Sequence, residues 1–419
     1  MQVSANKQNR RYLLILIISA LGILYLLIQA LTMFLGVVVS MFVQQGDRAQ
    51  LMPMGTLAWT SLLLSLLLVP ILFFSLKSWK GQPIPHWADI SKTSLRKWVI
   101  GMVVPWLLLV LLGHWLVGKP TIATFLLGPI NFFVMVIPIA LTLAATHPKS
   151  DGGSQLRQWG TFGFSLLVTP AIIMIIELVA IMILALVGGV WLAYKVSIDP
   201  SIEIGLMNTV NQIVSSGQDP DAVLQLLKPF VLQPAVLVWV ALIFGGLTPI
   251  IEELFKPLVL WTLAGRQVSP RQGFVGGLLC GAGFALLENL LYFSMAVTPE
   301  DWLYTAIGRA GTGVLHMLGS GLIGWGLAKA WQAGKRWHLA VTLVAAFLFH
   351  GVWNVVALAI GMVPLLTGVE DESLWRQLAL NSPLILLLVF CLFVLFGVKY
   401  LVKREEVQSV TDSNHQVWR

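Results

Sequence analysis

Ten apolar runs of about 20 residues or more divide this chain of 419 residues, and each is long enough to cross a bilayer core of roughly 30 Å as a helix. They lie at 13–42, 56–76, 98–117, 121–146, 161–193, 232–264, 273–297, 306–328, 338–362 and 383–402. In hydrocarbon each backbone N–H and C=O must be satisfied within the protein, which leaves helices as the element for such runs. The expected fold is all-α, a polytopic integral membrane helical bundle of about ten transmembrane helices. Several runs exceed the required length, so tilt, breaks or short extramembrane helices are expected in them. Composition agrees: 57% of residues are hydrophobic and only 11% charged, against about 25% charged in soluble domains. Cys280 and Cys391, both in apolar runs, supply neither a disulfide framework nor a thiolate metal cluster. The first run is too long for a signal-peptide core and lacks a small-residue cleavage site after it, so it reads as a signal anchor.

Lysine and arginine set the orientation. With the N-terminus in the cytoplasm, 19 of the 26 basic residues fall on inward segments, five fall outward, and Lys256 and Arg309 lie within spans. A miscounted span would reverse every later loop, and no reversal occurs, so both termini are expected in the cytoplasm. The net charge of +7 then serves topology and anionic headgroups. No loop joins a basic run to the interleaved aromatics that single-stranded nucleic acid needs.

Two outward loops are long and acidic. Residues 194–231 carry Asp199, Glu203, Asp219 and Asp221. Asp219 followed by Pro220 signals a helix start, with Leu224, Leu226, Leu227 and Phe230 giving that helix an apolar side for a membrane surface. Residues 363–382 carry Glu370, Asp371 and Glu372. Both read as solvated loops with interfacial anchors, with a lid or substrate-docking surface as the alternative.

A charge near the bilayer centre costs roughly 2.5–3.5 kcal/mol on insertion scales and needs a reason. Four acids lie within spans: Glu177, Glu252, Glu253 and Glu288. No span holds an aspartate, which argues against an aspartyl protease of the presenilin type. On consecutive spans, Glu252 precedes Lys256 by four residues, Phe284 precedes Glu288, Glu288 precedes Tyr292, and His350 precedes Asn354. Residues four apart share a helix face, and Arg309, Thr312 and His316 form a stripe of their own. Glu252, Glu288, His316 and His350 lie 14, 17, 13 and 14 residues from the nearest inward basic residue, about 20–26 Å along straight helices. Four alternating helices thus carry their polar groups at one expected depth, facing one another or a wet cavity.

Such a set supports two kinds of water activation. A buried glutamate, its pKa raised by desolvation, can deprotonate water. Histidines with a carboxylate can instead hold a divalent metal such as Zn²⁺ that acidifies water. Asn354 is placed to donate to a tetrahedral oxyanion, and Lys256 to pair with Glu252 or Glu253. Gly245, Gly246 and Pro249 are expected to break or kink the sixth span. The competing class is a proton- or cation-coupled transporter, which also uses buried Glu and His; against it, the first four spans hold no inverted counterpart of the cluster. Bland readings remain for single residues: Glu288 as a salt bridge to Arg309, Arg309 as a charge balancer, His114 as interfacial. The glycines of the seventh and eighth spans mark close helix packing.

Glu-Glu-x-x-Lys at 252–256, Phe-x-x-x-Glu at 284–288, His316 and His-x-x-x-Asn at 350–354 resemble the PrsW family of intramembrane proteases, relatives of the CAAX prenyl proteases and bacteriocin-processing enzymes. The resemblance covers about 232–358. It implies an endopeptidase in the plasma membrane of a bacterium that cuts membrane-anchored proteins, in some members an anti-sigma factor. It implies that Glu252 or Glu253 activates water, that Glu288, His316 and His350 complete the site, and that Asn354 stabilises the oxyanion. Glu288, His316 and His350 are the expected ligands if a metal is used. The chain then divides into accessory spans at 1–160, a fifth span with its acidic loop at 161–231, a catalytic core at 232–362, and a last loop, span and cytoplasmic tail at 363–419.

Overall fold

The computed structural model describes residues 2–43, 51–84, 101–146, 154–215, 220–264, 268–367 and 374–417, and among them no strand occurs. The helices are α1 (Gln2–Val43), α2 (Leu51–Trp79), α3 (Val103–Val117), α4 (Pro120–Thr146), α5 (Gln155–Ile198), α6 (Ser201–Ser215), α7 (Pro220–Val231), α8 (Pro234–Leu242), α9 (Thr248–Phe255), α10 (Leu258–Trp261), α11 (Pro270–Met295), α12 (Pro299–Ala333), α13 (Arg336–Thr367) and α14 (Leu374–Val417). Among the described residues, eight helices are long and apolar enough to span a bilayer. The protein is a polytopic all-α membrane protein.

Two of the ten expected spans take a different form. The run at 98–117 gives only the 15-residue α3, about 22 Å long. The run at 306–328 lies within the 35-residue α12, which is less apolar because glycine, threonine, serine and histidine fill its centre. Every residue from 311 to 324 is buried, so this stretch meets protein and needs no lipid-compatible surface. Pro220 opens α7 as expected, while Asp219 and the acids at 370–372 lie outside the described residues. The helix α6 was not expected from the sequence.

The chain forms two compact units. The first comprises Met1–Pro170, Lys256–Ala346 and Leu387–Arg419; the second comprises Ala171–Phe255 and Phe347–Leu386. In the first unit α11 and α12 pack backbone to backbone. A Cβ at Gly273, Gly277 or Gly281 would lie 2.2, 2.0 or 2.3 Å from the carbonyl oxygen of Gly324, Ser320 or His316. These glycines recur every four residues, so one bare stripe of α11 lets α12 approach along two turns. Gly283 is equally close to Phe162 on α5. Leu260, Cys280, Ile323, Leu327 and Ala346 form an apolar core beside this contact. At the other end of α12, Trp302 is buried, donates from Nε1 to Asn131 Oδ1 at 2.8 Å, and fills the space that a Cβ on Gly113 would take. His114 Nδ1 lies 3.0 Å from the Pro299 carbonyl.

In the second unit the sixth span is interrupted where its glycines predict. Between α8 and α9, residues Ile243–Leu247 form one π-helical turn, a form that marks functional sites in many helices. The bare backbone at Gly245 also lets α13 approach: a Cβ on Gly351 would stand 2.2 Å from the Gly245 carbonyl oxygen. The helical run ends at Phe255, and α10 starts only after Lys256 and Pro257; the proline supplies no N–H to continue it.

Candidate active site

Each unit carries one buried polar set. In the second unit it consists of Glu252 and Glu253 on α9 with His350 on α13, all three buried. His350 Nδ1 lies 2.9 Å from Glu253 Oε1, and a carboxylate only accepts, so Nδ1 carries the proton. The Nε2 lone pair then faces Glu252 Oε2 at 3.9 Å, too far for a direct hydrogen bond. One turn on, Asn354 Nδ2 donates to the Phe244 carbonyl at 2.9 Å. That carbonyl belongs to the π turn, so Asn354 braces the break in the sixth span with one of its two N–H groups.

In the first unit the set runs through His316, which is fully buried at the centre of α12. Lys256 Nζ lies 2.7 Å from His316 Nδ1, and His316 Nε2 lies 2.7 Å from Glu288 Oε2. An ammonium only donates, so Nδ1 accepts and Nε2 carries the proton toward Glu288. The same Glu288 oxygen meets Arg309 at 2.7 Å. Phe284 supports this line from one side, its ring 4.7 Å from Lys256 Nζ and edge-on to His316 at 5.2 Å. Arg309 in turn stacks on Tyr292, 4.1 Å from the ring centre. The backbone contact of Gly281 with His316 fixes the height of the imidazole on α12.

The expected stripes on α11, α12 and α13 are present, with particular pairings that spacing alone does not give, whereas Lys256 lies past the end of α9 and shares no helix face with Glu252. The bland ion pair Glu288–Arg309 exists, and His316 joins it. Lys256 also meets the histidine 60 residues away. Thr312 turns its hydroxyl to the Gly308 carbonyl at 3.0 Å. Glu177 is half-buried on the part of α5 that belongs to the second unit. Asn289 is Arg309's closest side-chain acceptor, and its place beside Glu288 in an apolar run is the sequence signal for it.

Glu252, His316 and His350 each offer a buried atom of a kind that ligates metal. Ligating histidines direct the far ring nitrogen at a carboxylate, and Glu253 provides that carboxylate for His350. His316 has Lys256 at Nδ1 and Glu288 at Nε2. Glu288 is already compensated by Arg309.

Fold and sites together define a polytopic membrane protein with acid–base groups sealed among its helices. A family model described as the PrsW family intramembrane metalloprotease matches residues 177–396, just over half of the chain, and the chain belongs to that family. No curated protein and no solved structure matches it.

Proposed function

We propose that this protein is an intramembrane endopeptidase that hydrolyses peptide bonds of membrane-anchored proteins with water activated by buried glutamate and histidine. The observation that carries this reading is the Glu253–His350 pair with Glu252 on the Nε2 side of the imidazole. Two carboxylates beside one histidine are an expensive way to build a structural contact in lipid, and they suit a proton acceptor. Family membership favours hydrolysis over the alternative of a proton- or cation-coupled transporter.

In this reading Glu253 holds His350 by Nδ1–H and so directs the Nε2 lone pair toward the reacting water. Glu252 takes the proton as the water oxygen bonds to the scissile carbonyl carbon. The C–N bond then breaks, and the same proton passes to the leaving amine. Asn354 offers its second N–H to the oxyanion. His316 and Glu288 also belong to the catalytic residues in this reading, with Lys256 and Arg309 as the cations beside them. A divalent cation such as Zn²⁺ fits the donor set of Glu252 and His350 and would add Lewis acidity to the water. Both termini are in the cytoplasm and the membrane is a bacterial plasma membrane. The substrate class includes anti-sigma factors, cut outside the cytoplasm.

The test is reconstitution of the purified protein in lipid nanodiscs with single-pass membrane substrates in H₂¹⁸O. The expected result is cleavage with ¹⁸O in the new C-terminal carboxyl group. Ion or solute flux in vesicles with no cleavage of any substrate would overturn the reading.

A further inference from the structure

Asn289 stands beside Glu288 on α11, is almost fully buried, and faces α12 with both ends of its amide. Its Oδ1 accepts from Arg309 Nε at 2.6 Å, and its Nδ2 donates to the Arg309 backbone carbonyl at 3.0 Å. The guanidinium is thus gripped at Nε by one residue, while its terminal nitrogen reaches Glu288 and its face rests on Tyr292. Arginine's donors sit in a rigid planar fork, so fixing Nε fixes the direction of the terminal nitrogen. Glu288 Oε2 then stands between two partners, ion-paired with the Arg309 terminal nitrogen on one side and hydrogen-bonded to His316 Nε2 on the other. A lone Glu–Arg pair would leave the carboxylate free to rotate about its last torsion, whereas this bracket holds it on the imidazole.

We propose that Asn289 is a positioning residue that, through Arg309 and Glu288, holds His316 as its Nε2–H tautomer with Nδ1 turned to Lys256. A tautomer is set by the hydrogen bond that the other ring nitrogen makes. Here the choice is made on the Glu288 side, and the ammonium of Lys256 takes the lone pair that is left. The catalytic consequence rests on the protease reading above; the tautomer does not.

The experiment uses the full-length protein in nanodiscs, with ¹⁵N-labelled histidine and the His316 signal assigned by its loss in His316→Gln. The wild type should show the Nε2–H pattern at His316. Asn289→Leu removes the grip, and should move His316 toward the Nδ1–H form while lowering cleavage about tenfold at unchanged protein yield. In an Arg309→Met background the same change should add nothing, because Asn289 acts through that guanidinium. Arg309→Lys keeps the charge but lacks Nε–H, and should shift the spectrum as Asn289→Leu does. Asn289→Asp retains an acceptor for Nε and should restore the wild-type pattern. A His316 signal unchanged in both Asn289→Leu and Arg309→Lys would overturn the proposal, as would effects that multiply in the double variant. The spectra are recorded without substrate, so a wild type that cuts nothing would end the protease reading alone.

Discussion

Around His350 stand two carboxylates, those of Glu252 and Glu253; around His316 stand Lys256 directly and Arg309 by way of Glu288. The first set has an excess of negative charge and the second an excess of positive charge. Each imidazole is held in the opposite tautomer, with Nδ1–H toward Glu253 in one and Nε2–H toward Glu288 in the other. Low dielectric makes such surpluses costly unless each is used. Under the proposed function, proton removal and cation holding fall to the anionic set.

The largest effect that would sharpen this division is expected at His350. His350→Gln leaves Glu253 without its imidazole and should lower turnover by about 10²–10⁴-fold, measured as cleavage in nanodiscs. It should also remove stoichiometric metal, read by elemental analysis, if the family's metal occupies Glu252 and His350. Lys256→Met should lower turnover by about 10²-fold yet leave metal content unchanged. Equal loss of metal in both variants would erase the distinction between the sets.

Smaller effects should come from the backbones that carry the sets. Gly281→Ala places a Cβ 2.3 Å from the His316 carbonyl oxygen, and Gly351→Ala one 2.2 Å from that of Gly245. Each should cost about 1–3 kcal/mol of stability, seen as a lower thermal unfolding midpoint. The two should differ in function, since the first moves His316 and the second moves His350.

The smallest effect lies outside the membrane segments. The Ser201 hydroxyl and backbone N–H, both donating to Asp199, hold its carboxyl below the usual carboxylate range. A lowered folded pKa means that this contact contributes above the ordinary value near 3.8 and is lost as pH falls through the folded value. Hydrogen-exchange protection in the first turn of α6, taken relative to the intrinsic exchange rate, should therefore fall at acid pH, and Asp199→Asn should remove that dependence. Turnover above pH 5 should be untouched, in contrast to every change in the buried sets.

Much of this arrangement was legible in the sequence because cost in lipid points to use. Four carboxylates in spans, two histidines at similar depth and a Gly-Gly-x-x-Pro stretch pointed to the polar sets and to the interruption at Ile243–Leu247. Periodicity reports which residues share a face of one helix, and so it found the stripes. It carries no information on how neighbouring helices are rotated. The grip of Asn289 on Arg309 depends on the glycine contacts between α11 and α12, which bring residues 20 positions apart together, and Lys256 meets a histidine 60 positions away. The stop at Phe255 was likewise hidden inside a run that stays apolar through residue 264, although Pro257 marked it. The helix α6 is hidden in the sequence because its polar residues have the composition of a loop.

The most direct measurement is the turnover of a membrane-anchored substrate by Glu252→Gln and Glu253→Gln, reconstituted in nanodiscs at matched protein levels. Both should fold, reach the membrane and lose cleavage, since one gives up the carboxylate that takes the proton and the other the carboxylate that aims His350. Full turnover in both variants would contradict the assignment of the anionic set as the centre of hydrolysis.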